Sequence, residues 1–553
     1  MKTNKILGVR KSSFIEGSVI ATLSIIIVKV LGLVYVIPFY ALVGSAGSAL
    51  YAYAYNIYVI FLDISTAGIP VSISKLISEY SAVENIRAKE MVYKVGMILM
   101  GIISIVLFLI LFFNSSNIAL LLLGNLEGGN SVSDVSFVIK CVSFALLIVP
   151  FLSVSKGYLQ GHKIINISSI SQVIEQVIRI LIILIGSYLI IRVFRLDVKY
   201  AVGISVFAAF LGALIAFLYV YPKIREYRSH VKCEFDNVLV KEIARKILKY
   251  AFPYIVINII SSCYNFIDMT ILLRILDYLG YSANNVEFIA SAISTWSTKI
   301  SMIVTSFSSG MIISLIPTIA TSYALRKIDD VNNKFNQALQ IIIFISLPCT
   351  LIISALSTSI WTVFYGFSYE GGIILCINIF TGFLLNVYMV VSSVLQSLNK
   401  FKLVYLMTFT GFFTNAILDI PLIFLFDFIG IPSYLGVCIS SIIGYLVSIS
   451  IALFKLKKEF NFNYDKVFTL LKELIMPISF MFLSLLICKI LIPVSYDDRV
   501  FVLMYVFISS SLSGIIYLLL CLKKNIFDEV FGLDFINRVI KKLTFEEVSV
   551  KEN

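Results

Sequence analysis

The chain has 553 residues, a net charge of +12, 59% hydrophobic residues and only 14% charged ones, with a mean hydropathy of +0.98. That composition excludes a soluble globular domain and a disordered chain, and points to an all-α polytopic membrane protein. The positive charge calls for no nucleic acid as partner, because it flanks apolar spans, where it meets anionic membrane lipids and sets orientation.

About 20 apolar residues cross a bilayer core as a helix. Fourteen such stretches follow one another: 18–43, 49–73, 91–114, 135–156, 166–191, 200–221, 250–275, 288–323, 336–362, 371–397, 402–426, 430–454, 470–494 and 499–522. The eighth is long enough to hold an extra turn or a kink. The first is too long for the apolar region of a signal peptide and no small-residue cleavage site follows it, so it is expected to stay as a helix. Counted with the four span residues on either side, the connections after even-numbered spans hold 24 Lys and Arg, Lys156 among them, and those after odd-numbered spans hold 5. Cytoplasmic loops carry the basic excess. The even side is therefore expected to be cytoplasmic, with both termini there, in a bacterial plasma membrane.

Metal and redox chemistry find little support. His162 and His230 are the only histidines, and the eight cysteines form no CxxC pair. No catalytic group and no cofactor is expected, other than a coupling ion, Na⁺ or H⁺. The longest polar stretch, 222–249, ends in a segment with Val238, Ile243 and Ile247 on one face, which reads as an interfacial helix on the cytoplasmic surface. Phe527 to Leu543 reads the same way.

The chain echoes itself at a distance of six spans. Tyr158-Leu159-Gln160-Gly161-His162-Lys163 ends span 4, and Val394-Leu395-Gln396-Ser397-Leu398-Asn399-Lys400 ends span 10. Gly68-Ile69-Pro70 lies late in span 2, and Leu315-Ile316-Pro317 late in span 8. Six is even, so both copies share one orientation, as in transporters built from parallel repeats. The expected organisation is an N-terminal lobe over 1–222 with spans 1–6, a cytoplasmic amphipathic linker over 223–249 and a C-terminal lobe over 250–456 with spans 7–12. An appendage of spans 13–14 over 457–525 and a cytoplasmic amphipathic tail over 526–553 complete it. A monomer is expected to suffice.

Ionisable groups inside spans cost about 2.5–3.5 kcal/mol each at the bilayer centre and are functional candidates by default. Lys140 lies one turn inside span 4 and snorkels outward. Arg274 sits at a span end. Glu175 and Arg179 are spaced for an ion pair along one helix. Lys29 and Lys299 differ, since neither has an acid three or four residues away. Gly32 and Pro38 follow Lys29 and let span 1 bend. One lysine in each lobe, facing a wet cavity, suits an anionic headgroup such as a diphosphate or carboxylate; the competing reading pairs them with Asp63 or another acid. Asn265 and Asp268 share a face of span 7, and Asn415 and Asp419 share a face of span 11. Two carboxylates and two amide oxygens suit Na⁺, and a lone carboxylate suits H⁺. Polar glue between helices is the alternative.

The stretch Lys29-Val30-Leu31-Gly32-Leu33-Val34-Tyr35-Val36-Ile37-Pro38-Phe39-Tyr40 resembles the stage V sporulation protein B and lipid II flippase (MurJ-like) family. So do Gly68-Ile69-Pro70, Ser74 to Tyr80, Ser171 to Gln176 and Asn415 to Pro421. That family belongs to the multidrug/oligosaccharidyl-lipid/polysaccharide (MOP) exporter superfamily, whose core is two six-helix lobes. The resemblance covers nearly the whole chain. It implies a flippase, not an enzyme, that moves a polyprenyl-diphosphate-linked cell-wall precursor from the inner to the outer leaflet by alternating access. Lys29 matches a basic position of span 1, and Lys299 lies close to one of span 8. Tyr35 stands where a second span-1 arginine is usual, and Asp63 falls near a span-2 arginine. The substrate-binding set implied is Lys29, Lys299, Tyr35, Asp63, Glu175 and Arg179. Asp268, Asn265, Asn415 and Asp419 form the cation set. The departures favour a sporulation or cell-wall branch. A cation-coupled multidrug exporter of the same fold would want acids where Lys29 stands. A membrane-embedded glycosyltransferase or polymerase would want paired acids in an outward loop, and 115–134 and 275–287 hold no such constellation.

The orientation is open to a direct test. On a cysteine-free background, a single cysteine at 128 should react with an impermeant maleimide applied from outside, and one at 230 should not. The opposite pattern would invert the map.

Overall fold

The computed structural model describes residues 24, 27–66, 68–82, 85–124, 129–162, 164–228 and 237–531. The start of the first span, the basic N-terminus, Lys163, linker residues 229–236 with His230 and Cys233, and the tail beyond 531 lie outside the described residues. Among those described, every regular element is helical, and twelve helices are long and apolar enough to cross a membrane. Each matches one of the fourteen stretches read from the sequence. The remaining two, 18–43 and 288–323, include residues or side chains outside the described set.

Local chemistry explains the breaks. Helix α1 (27–34) passes into α2 (Val36–Thr66) through an opening at Tyr35. The bonds Tyr35 N–H to Leu31 O and Phe39 N–H to Tyr35 O persist across it. Pro38 has no N–H to offer the carbonyl of Val34, which loosens the turn there. Gly44, with φ 70°, then breaks α2 inside its length, so the first two spans join almost without a loop. Gly68, at φ 73°, starts α3 (Ile69–Ala82), a left-handed conformation open to glycine at little cost.

The chain continues through α4 (Ile86–Phe113), α5 (Ser115–Leu123), α6 (Val132–Ser143), α7 (Ala145–Gly161), α8 (Ile165–Tyr188) and α9 (Val198–Arg228). Next come α10 (Asn237–Tyr278), α11 (Ala283–Ser291), α12 (Ser297–Ala324), α13 (Ile328–Ala355), α14 (Ser357–Tyr365) and α15 (Tyr369–Ser397). The last five are α16 (Phe401–Ile429), α17 (Leu435–Phe460), α18 (Asp465–Leu491), α19 (Arg499–Lys523) and α20 (Ile526–Phe531). A wide turn over Leu189–Val193 extends α8, and a second over Ala292–Trp296 joins α11 to α12.

These helices form two compact units. The first takes the chain to Ser306 together with Val404–Ser448; the second takes Phe307–Leu403 and the chain from Ile449. In the first, α7 packs on α3, α4 and α9, and α8 lies along α9. Ile73, Leu76, Tyr158, Val220, Ile243 and Ile247 join one buried cluster. Ile243 and Ile247 correct an expectation, because the segment 238–249 is not a lipid-facing anchor. It is the first part of a 42-residue helix continuous with span 7, and its apolar face is buried against protein. In the second unit, α18 and α19 pack on each other and on α13 and α14. The first turn of the tail likewise docks on protein: Ile526 and Val530 are fully buried, and Phe527 and Phe531 pack on Phe344.

The sequence echo is partly structural. Both α7 and α15 stop at their Gln-containing ends and restart within a few residues. The other pair differs, since the chain breaks at Gly68 but α12 runs unbroken past Leu315. The outer faces are apolar along whole helices, as at Phe480, Leu483, Ile487 and Ile490 on α18 and Leu503, Phe507 and Ile515 on α19. Water would not tolerate so continuous an apolar surface; lipid does.

One crossing positions the candidate site. A Cβ on Gly411 of α16 would lie 2.8 Å from the Gly444 carbonyl of α17 and 2.6 Å from the Tyr264 hydroxyl of α10. Backbones approach this closely only where side chains are absent. Gly411→Ala should therefore cost about 1–3 kcal/mol through overpacking. A clear drop in the apparent Tm of the purified protein is expected; an unchanged Tm would refute the packing.

Candidate functional site

Two polar clusters lie inside the first unit. The first is basic and aromatic. Glu175 sits on α8, with Oε2 2.9 Å from Lys156 Nζ of α7 and Oε1 3.0 Å from the Arg179 guanidinium one turn on. Gly212 lets α9 press against this turn, since a Cβ there would come 2.7 Å from the Glu175 carbonyl oxygen. The three side chains are 15–26% exposed. Tyr51, Tyr55 and Tyr58 on α2 lie within electrostatic range of the Arg179 guanidinium, without a hydrogen bond to it among the described residues. Tyr51 and Tyr55 stack with ring centroids 5.8 Å apart. Lys299 of α12 also approaches this pair of rings. It is buried, lies 4.8 Å from the Tyr55 ring centroid and donates to the Tyr35 hydroxyl at 3.4 Å. Below it, Asn56 donates to the Thr295 hydroxyl at 3.0 Å and to the Ser294 hydroxyl at 3.3 Å.

The chemistry of this cluster is plain. Lys156, Arg179 and Lys299 carry three positive charges against one from Glu175, among tyrosine faces and hydroxyls. Such a site prefers an anion with several oxygens.

The second cluster is acidic. Asp268 of α10, Asn415 and Asp419 of α16, and Ser440 and Ser441 of α17 are all buried. The Asn415 amide donates to Asp268 Oδ1 at 2.6 Å, and Ser441 donates to Asp268 Oδ2 at 2.9 Å. Ser440 donates to Asp419 Oδ1 and lies 3.3 Å from Asn415 Oδ1. Asp419 Oδ2 is buried without a hydrogen-bond partner. Two carboxylates this close need a neutralising positive charge. The donors are hard oxygens only, which fits Na⁺ or a shared proton and not a transition metal.

The predicted residues divide as follows. Asp268, Asn415 and Asp419 converge as expected. Asn265 does not join them: it is half-buried one turn away on α10 and makes no hydrogen bond to the cluster. Its place is taken by Ser440 and Ser441, an adjacent polar pair on α17. Lys299 meets Tyr35, and Glu175 pairs with Arg179 one turn on. Asp63 is drawn to α10, where Ser262 donates to it. Lys29 is half-buried on α1; a Cβ on Gly32, one turn on, would lie 3.3 Å from the Gln176 amide nitrogen of α8. Lys156 counts among loop charges in the sequence because hydropathy ends span 4 at that residue, whereas α7 continues to Gly161. The tyrosine face had a signal: Tyr51, Tyr55 and Tyr58 recur at i, i+4 and i+7. Arg274, expected at an interface, donates to the Leu121 carbonyl at the end of α5.

Comparison with known proteins places the chain. Residues 14–323 match the polysaccharide biosynthesis protein family. The lipid II flippase MurJ of Bacillus subtilis (strain 168) is 30% identical over 464 residues, 82% of this chain and 84% of that one. A solved structure of lipid II flippase MurJ in an inward closed conformation superposes with a TM-score of 0.64 at 18% identity, over 92% of this chain and 99% of the other. An outward-facing multidrug resistance MATE family transporter of the MOP superfamily gives 0.58 at 15% identity, over 83% and 99%. These two share the fold. With the family match over more than half of the chain and 30% identity to a relative over most of both chains, the chain belongs to the polysaccharide biosynthesis protein family and is similar to the lipid II flippase MurJ of Bacillus subtilis.

Proposed function

We propose that this protein is a transporter, a flippase that moves a polyprenyl-diphosphate-linked cell-wall precursor, lipid II or a related lipid-linked sugar, from the inner to the outer leaflet of a bacterial plasma membrane. The observation that carries the reading is the basic cluster of Lys156, Arg179 and Lys299 around stacked tyrosines, inside a bundle whose outside is apolar. A diphosphate offers two charges and several acceptor oxygens to these cations. Lys29 supplies a further cation. The sugars find hydroxyl and amide partners, and the polyprenyl tail stays in lipid. Rocking of two six-helix lobes would expose the headgroup alternately to either side, with both termini cytoplasmic. A membrane potential negative inside favours outward passage of an anion by about 2.3 kcal/mol per charge per 100 mV.

The acidic cluster supplies the coupling site. Asp268, Asn415, Asp419, Ser440 and Ser441 would hold Na⁺, or the two carboxylates would share H⁺. A bound cation supplies the charge that lets both carboxylates stay ionised when buried. Asp419 Oδ2, with no protein partner, is the open ligand position. A cation-coupled drug exporter of the same fold shares this second cluster, but cationic drugs would be repelled by Lys156, Arg179 and Lys299. A glycosyltransferase or polymerase gains nothing from either cluster.

Two experiments test the proposal. In a flippase-depleted strain, the wild-type chain should restore growth and prevent build-up of the lipid-linked precursor. Lys299→Ala and Lys29→Ala should each lose at least about tenfold in activity, the cost of one charge-assisted contact, at unchanged membrane level. Arginine at either position should retain part, since charge is kept and geometry altered. Normal transport by both alanine variants would sink the headgroup site. For the acidic cluster, Na⁺ in place of choline should raise the Tm of the purified protein, by linkage, and Asp419→Asn should abolish the rise. A sodium-independent Tm that shifts with pH instead would assign the site to H⁺.

A further inference from the structure

Glu175 is the odd member of the basic cluster. A site built only to hold an anion gains nothing from a carboxylate at its centre. Yet both Glu175 oxygens are engaged, Oε2 by Lys156 at 2.9 Å and Oε1 by Arg179 at 3.0 Å. The two bonds come from different helices, α7 and α8. Each cation meets Glu175 through a single nitrogen, not the bidentate fork that gives the strongest arginine–carboxylate pairs. Arg179 Nε is buried with no partner at all. Lys156 has three N–H donors and arginine five, so most of their capacity is left for something else. The cations are 19% and 26% exposed, more than the acid between them.

We propose that Glu175 is an internal counter-ion. It occupies Lys156 and Arg179 while the carrier is empty and yields them to the substrate's phosphate oxygens when the carrier is loaded. The inference deepens the flippase reading and rests on it. Its physical basis is the cost of charge at low dielectric. Two adjacent cations left bare in a closed, dry site carry a penalty of several kcal/mol in self-repulsion and desolvation, which would stall the return of the empty carrier. A carboxylate on a flexible three-carbon side chain removes that penalty. Because it binds each cation through one nitrogen only, a diphosphate with more oxygens and more charge displaces it. The backbone of Glu175 is fixed where Gly212 lets α9 press on its carbonyl, so the movement belongs to the side chain alone. No bond is made or broken; one ion pair replaces another.

The consequence is a split between binding and turnover. Glu175→Gln removes the competitor, so the full-length purified variant should bind inorganic pyrophosphate at least about tenfold tighter than wild type at fixed ionic strength. In proteoliposomes the same variant should move precursor more slowly, because its empty form returns poorly. A merely structural role would weaken both. Glu175→Asp, one methylene shorter, reaches at most one of the two cations and should show a smaller gain in affinity; it serves as the test if Glu175→Gln does not accumulate. Wild-type binding of pyrophosphate with equal or weaker binding by both variants overturns the counter-ion while leaving the headgroup site standing. Absence of pyrophosphate binding in wild type and variants alike overturns the headgroup site itself, and the counter-ion with it.

Discussion

The cost of holding charge away from water governs this molecule. A single ionised group at the bilayer centre costs about 2.5–3.5 kcal/mol, and an isolated buried ion more. The chain answers it by grouping. Glu175 lies between Lys156 and Arg179, and Lys299 lies against tyrosine rings and the Tyr35 hydroxyl. Asp268 accepts from an amide and a hydroxyl on two other helices. Each group brings several helices together, so the polar clusters fix helix register as well as chemistry.

Close backbone contact makes the grouping possible. Gly212 admits α9 to the Glu175 turn, and Gly411 and Gly444 admit α16 and α17 to each other one turn from Asn415. In lipid there is little hydrophobic drive between helices, so small residues and interhelical hydrogen bonds decide which faces meet. At the clusters these glycines let side chains a few ångströms long reach across helices.

Composition and loop charge made the class of molecule legible, and twelve of the spans read from hydropathy recur as helices. Lys299, Glu175, Arg179, Asp268, Asn415 and Asp419 stood out because charge and amide groups are rare in apolar runs. What stayed hidden has identifiable causes. Hydropathy ends a span at its first lysine, so Lys156 passed for a loop residue although α7 runs on to Gly161. Helical periodicity cannot tell an apolar face that meets lipid from one that meets protein, so Ile243 and Ile247 read as an anchor. Asn265 lies one turn from Asp268 but is only half-buried, and it is its neighbour Tyr264 that meets α16. Serines are common in membrane helices, so Ser440 and Ser441 carried no signal until the acids beside them were in place.

Helix α10 of the acidic cluster also touches α2 beside the basic cluster, and that contiguity bears on coupling under the proposed function. On α10, Asp268 faces Asn415 and Ser441, while its neighbour Met269 touches Asn56 of α2, with the Asn56 amide 3.6 Å from the Met269 sulfur. Asn56 in turn holds Ser294 and Thr295, the turn that leads into α12 and Lys299. Neutralising the acidic cluster changes what α10 must satisfy on one face. Any shift or rotation of α10 is felt on the other face by the residues that seat Lys299. Packed interiors transmit such movements because they do not compress. Coupling in a membrane carrier needs a rigid element contacted by both sites and two arrangements of it that each ligand prefers differently. If the acidic cluster binds the coupling cation as proposed, helix α10 would meet the first requirement and the charge balance of Asp268 and Asp419 would supply a reason for the second.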